Sequence, residues 1–222
     1  MNVPCSVKAA SGIGKETAFT FAEAGVHGVV FADINYEGAR YAAEVSKGYA
    51  RHTEYRAFAA NVDISDSESV QDLIVTTVKE IGRIDCAVIS AGIDLENFGS
   101  FTPNVDLDVL AKTTDVIVKG ATMRAMAEQQ RRKYTGRYGE RSSGKGSIIL
   151  LGSTNSIAAS PGMVSYVTGK HAVIGITKAA AVDALALKND IPPSPLPINE
   201  SAKLDKMLGL LIFLRQIRRE DD

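Results

Sequence analysis

The chain has 222 residues, 45% hydrophobic and 23% charged, with a formal net charge of −1. That length suits one α/β domain with a full core, and the balanced charge argues against a nucleic-acid partner or a charged membrane surface. The apolar run Leu208 to Leu214 is too short to span a bilayer. Two distant cysteines, Cys5 and Cys86, form neither a disulfide framework nor a metal-ligand spacing.

Strand-like and helix-like stretches alternate along the chain, which predicts βαβ units around a parallel sheet. Residues 15–25 read as a helix stopped at Gly25. Residues 28–33 (GVVFAD) read as a buried strand closed by an acid, and 37–50 as a helix. A strand-like piece covers 55–63. Ser65 and Glu68 have capping-box spacing ahead of an apolar stripe at Val70, Leu73, Ile74 and Val78, predicting a helix to Ile81. Residues 84–90 (IDCAVIS) are an apolar strand followed by Ala91-Gly92, and 106–129 a long helix. The polar, basic segment 131–146 (RRKYTGRYGERSSGKG) is expected to be a solvated surface loop rather than a nucleic-acid arm. Residues 147–151 (SIILL) predict a strand and 164–187 a second long helix. Residues 191–197 (IPPSPLP) hold four of the seven prolines and continue no helix. The tail 200–222 reads as an amphipathic helix. The boundaries are a nucleotide-binding domain over 1–190 and a divergent segment over 191–222. The start of the chain shows no charged-then-apolar leader pattern, so a soluble, cytoplasmic protein is expected.

Residues 9–14 (AASGIG) open directly into the first helix. Glycines let a backbone approach a pyrophosphate, and a helix N-terminus offers N–H groups and a favourable dipole. The plain alternative is a glycine loop before a helix. Asp33 closes the next strand 19 residues after Gly14, about where a ribose-binding carboxylate belongs. It would repel a 2′-phosphate and so favours NAD over NADP; its other role would be to cap the turn at Asn35.

Tyr166 and Lys170 are four apart on a predicted helix, hence on one face. An ammonium beside a phenol favours the phenolate and so eases proton exchange at neutral pH. The plain alternative is an exposed helical pair. His171 adjoins the pair but faces about 100° away from Lys170 and reads as structural.

With the glycine turn, the strand SIILL and Ser153 thirteen residues before Tyr166 in register, the sequence resembles the classical short-chain dehydrogenase/reductase family over roughly residues 7–187. The resemblance implies a Rossmann-like doubly wound parallel sheet. It implies a catalytic trio of Ser153, Tyr166 and Lys170, with Ser153 bonded to the substrate oxygen. NAD or NADP would be held by Ser11, Gly12, Ile13, Gly14, Asp33, Asp63, Ala91, Gly92, Tyr166 and Lys170. The substrate would be a small-molecule alcohol or ketone, and the assembly a homo-oligomer, dimer or tetramer. Val164, Val167, Val173, Ile174 and Ile176 are compatible with such an interface or with a core. The basic segment 131–146 resembles an insertion of fungal members, pointing to secondary metabolism.

Five departures stand beside the likeness. Lys8 occupies the first glycine position of the family's turn. Pro4 falls in the stretch that should be the central first strand, where irregular pairing is expected. Ile117 replaces an asparagine that relays protons through water, and Ser90 stands in the family's Asn-Asn-Ala-Gly stretch. The expected strand after the catalytic helix, and the sheet's last strand, are not recognisable. The competing expectation is a catalytically impaired relative serving as a binding or assembly partner, or an inert copy.

Overall fold

Every residue of β2 (Gly28–Asp33) is buried, the signature of a strand covered on both faces. The structure, a computed structural model, describes residues 4–96, 102–119, 132–136, 139–144 and 146–188. Two compact units result, one from residues 1–93 with 115–150, the other from 94–114 with 151–222.

In the first unit β2 sits second in a five-stranded sheet of order β3-β2-β1-β4-β7. Its partners are β1 (Pro4–Val7), β3 (Arg56–Asn61), β4 (Cys86–Ile89) and β7 (Ser147–Leu150), all parallel. Side chains alternate along β2. Val29 and Phe31 enter a core with Ala18 of α1 (Gly12–Glu23) and Ala39, Ala42 and Ala43 of α2 (Tyr36–Ser46). Val30 and Ala32 enter the opposite core with Leu73 and Ile74 of α3 (Ser67–Ile81) and Ala87 and Ile89 of β4. The sheet is therefore doubly wound, as the resemblance implied. Helix α1 buries Gly14, Ala18 and Ala22, a stripe of small residues at four-residue spacing that lets it lie close to the sheet.

The first strand corrects one expectation. β1 pairs regularly with β2 and β4 at the centre of the sheet. Pro4 is the strand's first residue, and the ladder to β2 begins only at Cys5, so the missing N–H costs little there. A second correction concerns α3: its N-cap is Asp66, which accepts from the Glu68 N–H at 3.0 Å, while the Ser65 hydroxyl turns to Asp63. A third concerns the basic segment, which forms an antiparallel hairpin, β5 (Arg132–Gly136) against β6 (Gly139–Gly144). Two residues connect the strands, a length that hairpins favour, and backbone pairing needs no apolar alternation.

In the second unit, α4 (Leu107–Thr114) is capped by Asp106, whose Oδ1 accepts from the Asp108 and Val109 N–H groups. It packs on α5 (Val164–Lys188). The predicted helix over 106–129 leaves α geometry after Thr114 and enters a π-helical turn, Asp115–Lys119. Five of the six residues from Thr113 to Val118 are β-branched, and such side chains crowd an α-helix. The expected Pro-rich stretch and tail helix lie outside the described residues.

Candidate active site

The first unit holds eight of the ten residues expected to hold a dinucleotide; the other two, Tyr166 and Lys170, belong to the second. The C-terminal ends of β2, β1 and β4 lie side by side at the point where strand order reverses, the crevice open α/β sheets use for ligands. Asp33 closes β2 at 7% exposure. Its Oδ2 accepts from the Ala10 N–H and its Oδ1 from the Asn35 N–H, both at 2.9 Å. The carboxylate thus ties the strand end to the glycine turn and caps the turn at Asn35, the plainer of the two roles foreseen for it.

The turn runs from Lys8 to Gly14. Ser11 is the extended N-cap of α1, and its side chain makes no bond to the helix it caps. Gly12 sits at φ +57° with no atom crowding its missing side chain. Gly14 is hemmed in: a Cβ there would lie 2.3 Å from the Lys8 carbonyl oxygen and 2.4 Å from Ser90 Oγ. No substituent fits, because helix and turn touch through backbone. Lys8 has φ +61°, the only positive φ at a non-glycine residue among those described. The position needs the conformation glycine adopts freely; lysine adopts it at a cost. Its ammonium reaches across to the Gly92 carbonyl at 3.1 Å, linking the ends of β1 and β4.

Asp63 lies two residues beyond β3, where its Oδ1 accepts from both the hydroxyl (2.6 Å) and the N–H (2.9 Å) of Ser65. Those two donors hold its carboxyl below the usual carboxylate range. Ile117, in the π-helical turn, is buried at 3% exposure. A surface cleft of about 450 Å³ between α1 and α2, lined by Lys15, Phe19, Tyr41 and Tyr49 among others, contains none of the expected site residues.

The second unit holds Ser153, Tyr166 and Lys170. Ser153 follows the end of β7 and caps a short 3₁₀ turn, Thr154–Ser156. Its Oγ accepts from the Asn155 N–H at 3.2 Å, and its own N–H donates to Ser156 Oγ at 3.0 Å. Buried Asn155 accepts from the Ser160 hydroxyl at 2.8 Å, which fixes the loop running into α5. On α5, Lys170 is 4% exposed and its ammonium lies 5.7 Å from the Tyr166 ring centroid. That ammonium donates to the Leu151 carbonyl at 2.8 Å. His171 is exposed, with Nδ1 3.0 Å from the Val167 carbonyl oxygen, in keeping with a structural role.

The sequence pattern missed Glu96. Its Oε1 accepts from the Ser165 N–H (2.8 Å) and hydroxyl (3.0 Å), and its Oε2 from the Tyr166 N–H (3.3 Å). No local signal pairs residues 69 positions apart. The Ser153–Ser156 box was readable in principle as a serine pair at capping spacing.

A doubly wound sheet with a glycine turn, a strand-end acid and a strand-end serine ahead of a Tyr-x-x-x-Lys helix defines a dinucleotide-binding class of protein. Comparison with known proteins agrees. A family model described as enoyl-(acyl carrier protein) reductase matches residues 8–204. A short-chain dehydrogenase of Neurospora crassa, srdC, is 37% identical over 182 residues, covering 78% of this chain and 66% of that protein. A short-chain dehydrogenase of Penicillium roqueforti, anuF, is 37% identical over 188 residues, covering 79% and 65%. The chain thus matches just under two thirds of the length of these two relatives, both of them fungal. The crystal structure of a short-chain type dehydrogenase/reductase from Mycobacterium marinum superposes with a TM-score of 0.67 at 25% identity, covering 84% of this chain and 70% of the other. The chain belongs to the short-chain dehydrogenase/reductase family, a family of oxidoreductases. No helix among the described residues is long and apolar enough to cross a membrane.

Proposed function

We propose that this chain is an NAD-dependent oxidoreductase interconverting a small-molecule alcohol and its ketone, with Tyr166 as general acid and base. The observation that carries the reading is the Lys170 ammonium, nearly buried and 5.7 Å from the Tyr166 ring centroid. The two side chains share one face of α5, which sets a proton-carrying hydroxyl and a buried positive charge where one substrate can meet both. Tyr166 would then give its proton to a carbonyl oxygen in reduction and take one from an alcohol in oxidation. Ser153 Oγ uses a lone pair on the Asn155 N–H, so its hydroxyl hydrogen can be directed at the substrate oxygen. Bound nicotinamide would supply or accept the hydride.

The residues of the first unit fit a dinucleotide. The bare Gly12–Gly14 turn at the N-terminus of α1 suits a pyrophosphate, with Ser11 and Ile13 contributing backbone, and Ala91 and Gly92 flanking it from β4. Each Asp33 oxygen keeps lone-pair capacity beyond its one N–H partner, enough for ribose hydroxyls, while its charge disfavours NADP. Asp63 is the adenine-side residue of this reading. A cytoplasmic homo-oligomer acting in fungal secondary metabolism completes the proposal.

A second reading, a catalytically impaired relative, draws on Lys8 and Ile117. Fluorescence titration with NADH and NADPH, thermal shift with each, and turnover on an alcohol and ketone panel separate the two. NADH binding tighter than NADPH, with turnover lost in Tyr166→Phe, supports the enzyme. No binding of either at millimolar concentration supports the impaired relative.

A further inference from the structure

We propose that Glu96 is a positioning residue for Tyr166, a carboxylate from a distant loop that sets the first turn of the catalytic helix. This rests on the oxidoreductase reading above. The first N–H groups of any helix lack intrahelical partners. In α5 two of them, on Ser165 and Tyr166, donate to the two oxygens of one side chain, and the Ser165 hydroxyl adds a third bond. Ser165 is fully buried, so its two donors would otherwise be stranded at roughly 1–3 kcal/mol each. A negative charge also suits a helix N-terminus. Glu96 is itself held: its N–H donates to Asp94 Oδ1 at 3.2 Å.

The consequence is geometric. Tyr166 lies in the turn that Glu96 grips, and Lys170 one turn later is anchored independently to the Leu151 carbonyl. The phenol and the ammonium therefore keep their 5.7 Å relation only if the first turn stays in register with the second. Releasing Glu96 frees the Tyr166 end while the Lys170 end stays fixed.

The test compares Glu96→Gln and Glu96→Ala with wild type in the full chain. Gln keeps an acceptor oxygen and can take two of the three bonds; Ala keeps none. Misplacing a reacting group by about 1 Å costs on the order of 100-fold. The expected result is kcat down about 100-fold in Glu96→Ala with substantial rescue in Glu96→Gln, and NADH affinity within about 2-fold of wild type in both. Amide hydrogen exchange at Ser165 should rise in the Ala variant only, and at Tyr166 in both, less in Gln than in Ala. A Glu96→Ala protein that melts lower yet keeps wild-type kcat would overturn the proposal and leave Glu96 a mere cap. If Ala prevents folding, Gln and Ser165→Ala carry the same comparison. Wild type without turnover, or Tyr166→Phe as active as wild type, would instead sink the functional reading; the grip on α5 then stands or falls by the exchange data.

Discussion

Lys8 offers a sharp test of the backbone reasoning, because its φ of +61° is a conformation that an L-residue adopts only at a cost. Left-handed backbone costs an L-residue about 1–2 kcal/mol, which glycine does not incur. Glycine gives back about 0.4–1 kcal/mol through its freer unfolded chain. The balance favours Gly over Ala at this position by about 0.5–1 kcal/mol. The Lys8 ammonium bond to the Gly92 carbonyl is exposed, so both variants lose about 0.5 kcal/mol with it. Lys8→Gly should match or exceed wild type, and Lys8→Ala should fall below it. For a chain of this size the gap between the two variants corresponds to about 1–4 °C in Tm. Thermal denaturation of the three proteins at one pH and salt decides it. An Ala variant melting as high as the Gly variant would show that residue 8 is not left-handed, and the account of the turn would fail.

Three other perturbations have defined outcomes. Gly14→Ala drives a Cβ to 2.3 Å from the Lys8 carbonyl; overpacking of that kind costs about 1–3 kcal/mol or more, so Tm should drop by several degrees and NADH affinity with it, whereas an unchanged melt would contradict the packing of helix on turn. Asp63 is depressed by the Ser65 hydroxyl and N–H, so its contribution to stability is present above about pH 4 and fades as acid protonates it. Ser65→Ala should cost under about 1 kcal/mol at pH 7, since the carboxylate is largely solvated, and its stability curve should converge with wild type in acid; curves that stay parallel down to pH 2 would refute the link. Burial, and then Asp85, push the Cys86 thiol above its ordinary value. In a Cys5→Ala background, iodoacetamide at pH 8 should therefore alkylate Cys86 more than about tenfold faster in urea than in the native protein, and equal rates would mean the thiol is not shielded.

Much of the fold was legible because its signals are local. The apolar run GVVFAD, the Gly25 stop at φ +78° and the Tyr166–Lys170 spacing each depend on residues a few positions apart. The failures have local causes too. Asp66 outcompeted Ser65 as the α3 cap because two caps were available and the Ser65 hydroxyl found Asp63. The polar segment 131–146 hid a hairpin because its strands are held by backbone pairing, which composition does not register.

By itself the sequence determined the doubly wound class, the glycine turn with its strand-end acid, and the face shared by Tyr166 and Lys170, since periodicity and short spacing fix which side chains share a strand face or helix stripe. Only the tertiary structure decided that Pro4 begins a regular central strand, that Lys8 is forced left-handed while bridging to Gly92, and that Glu96 grips the first turn of α5. Those outcomes join residues up to 84 positions apart. They arise because backbone and side-chain donors take partners that only the folded chain brings within reach.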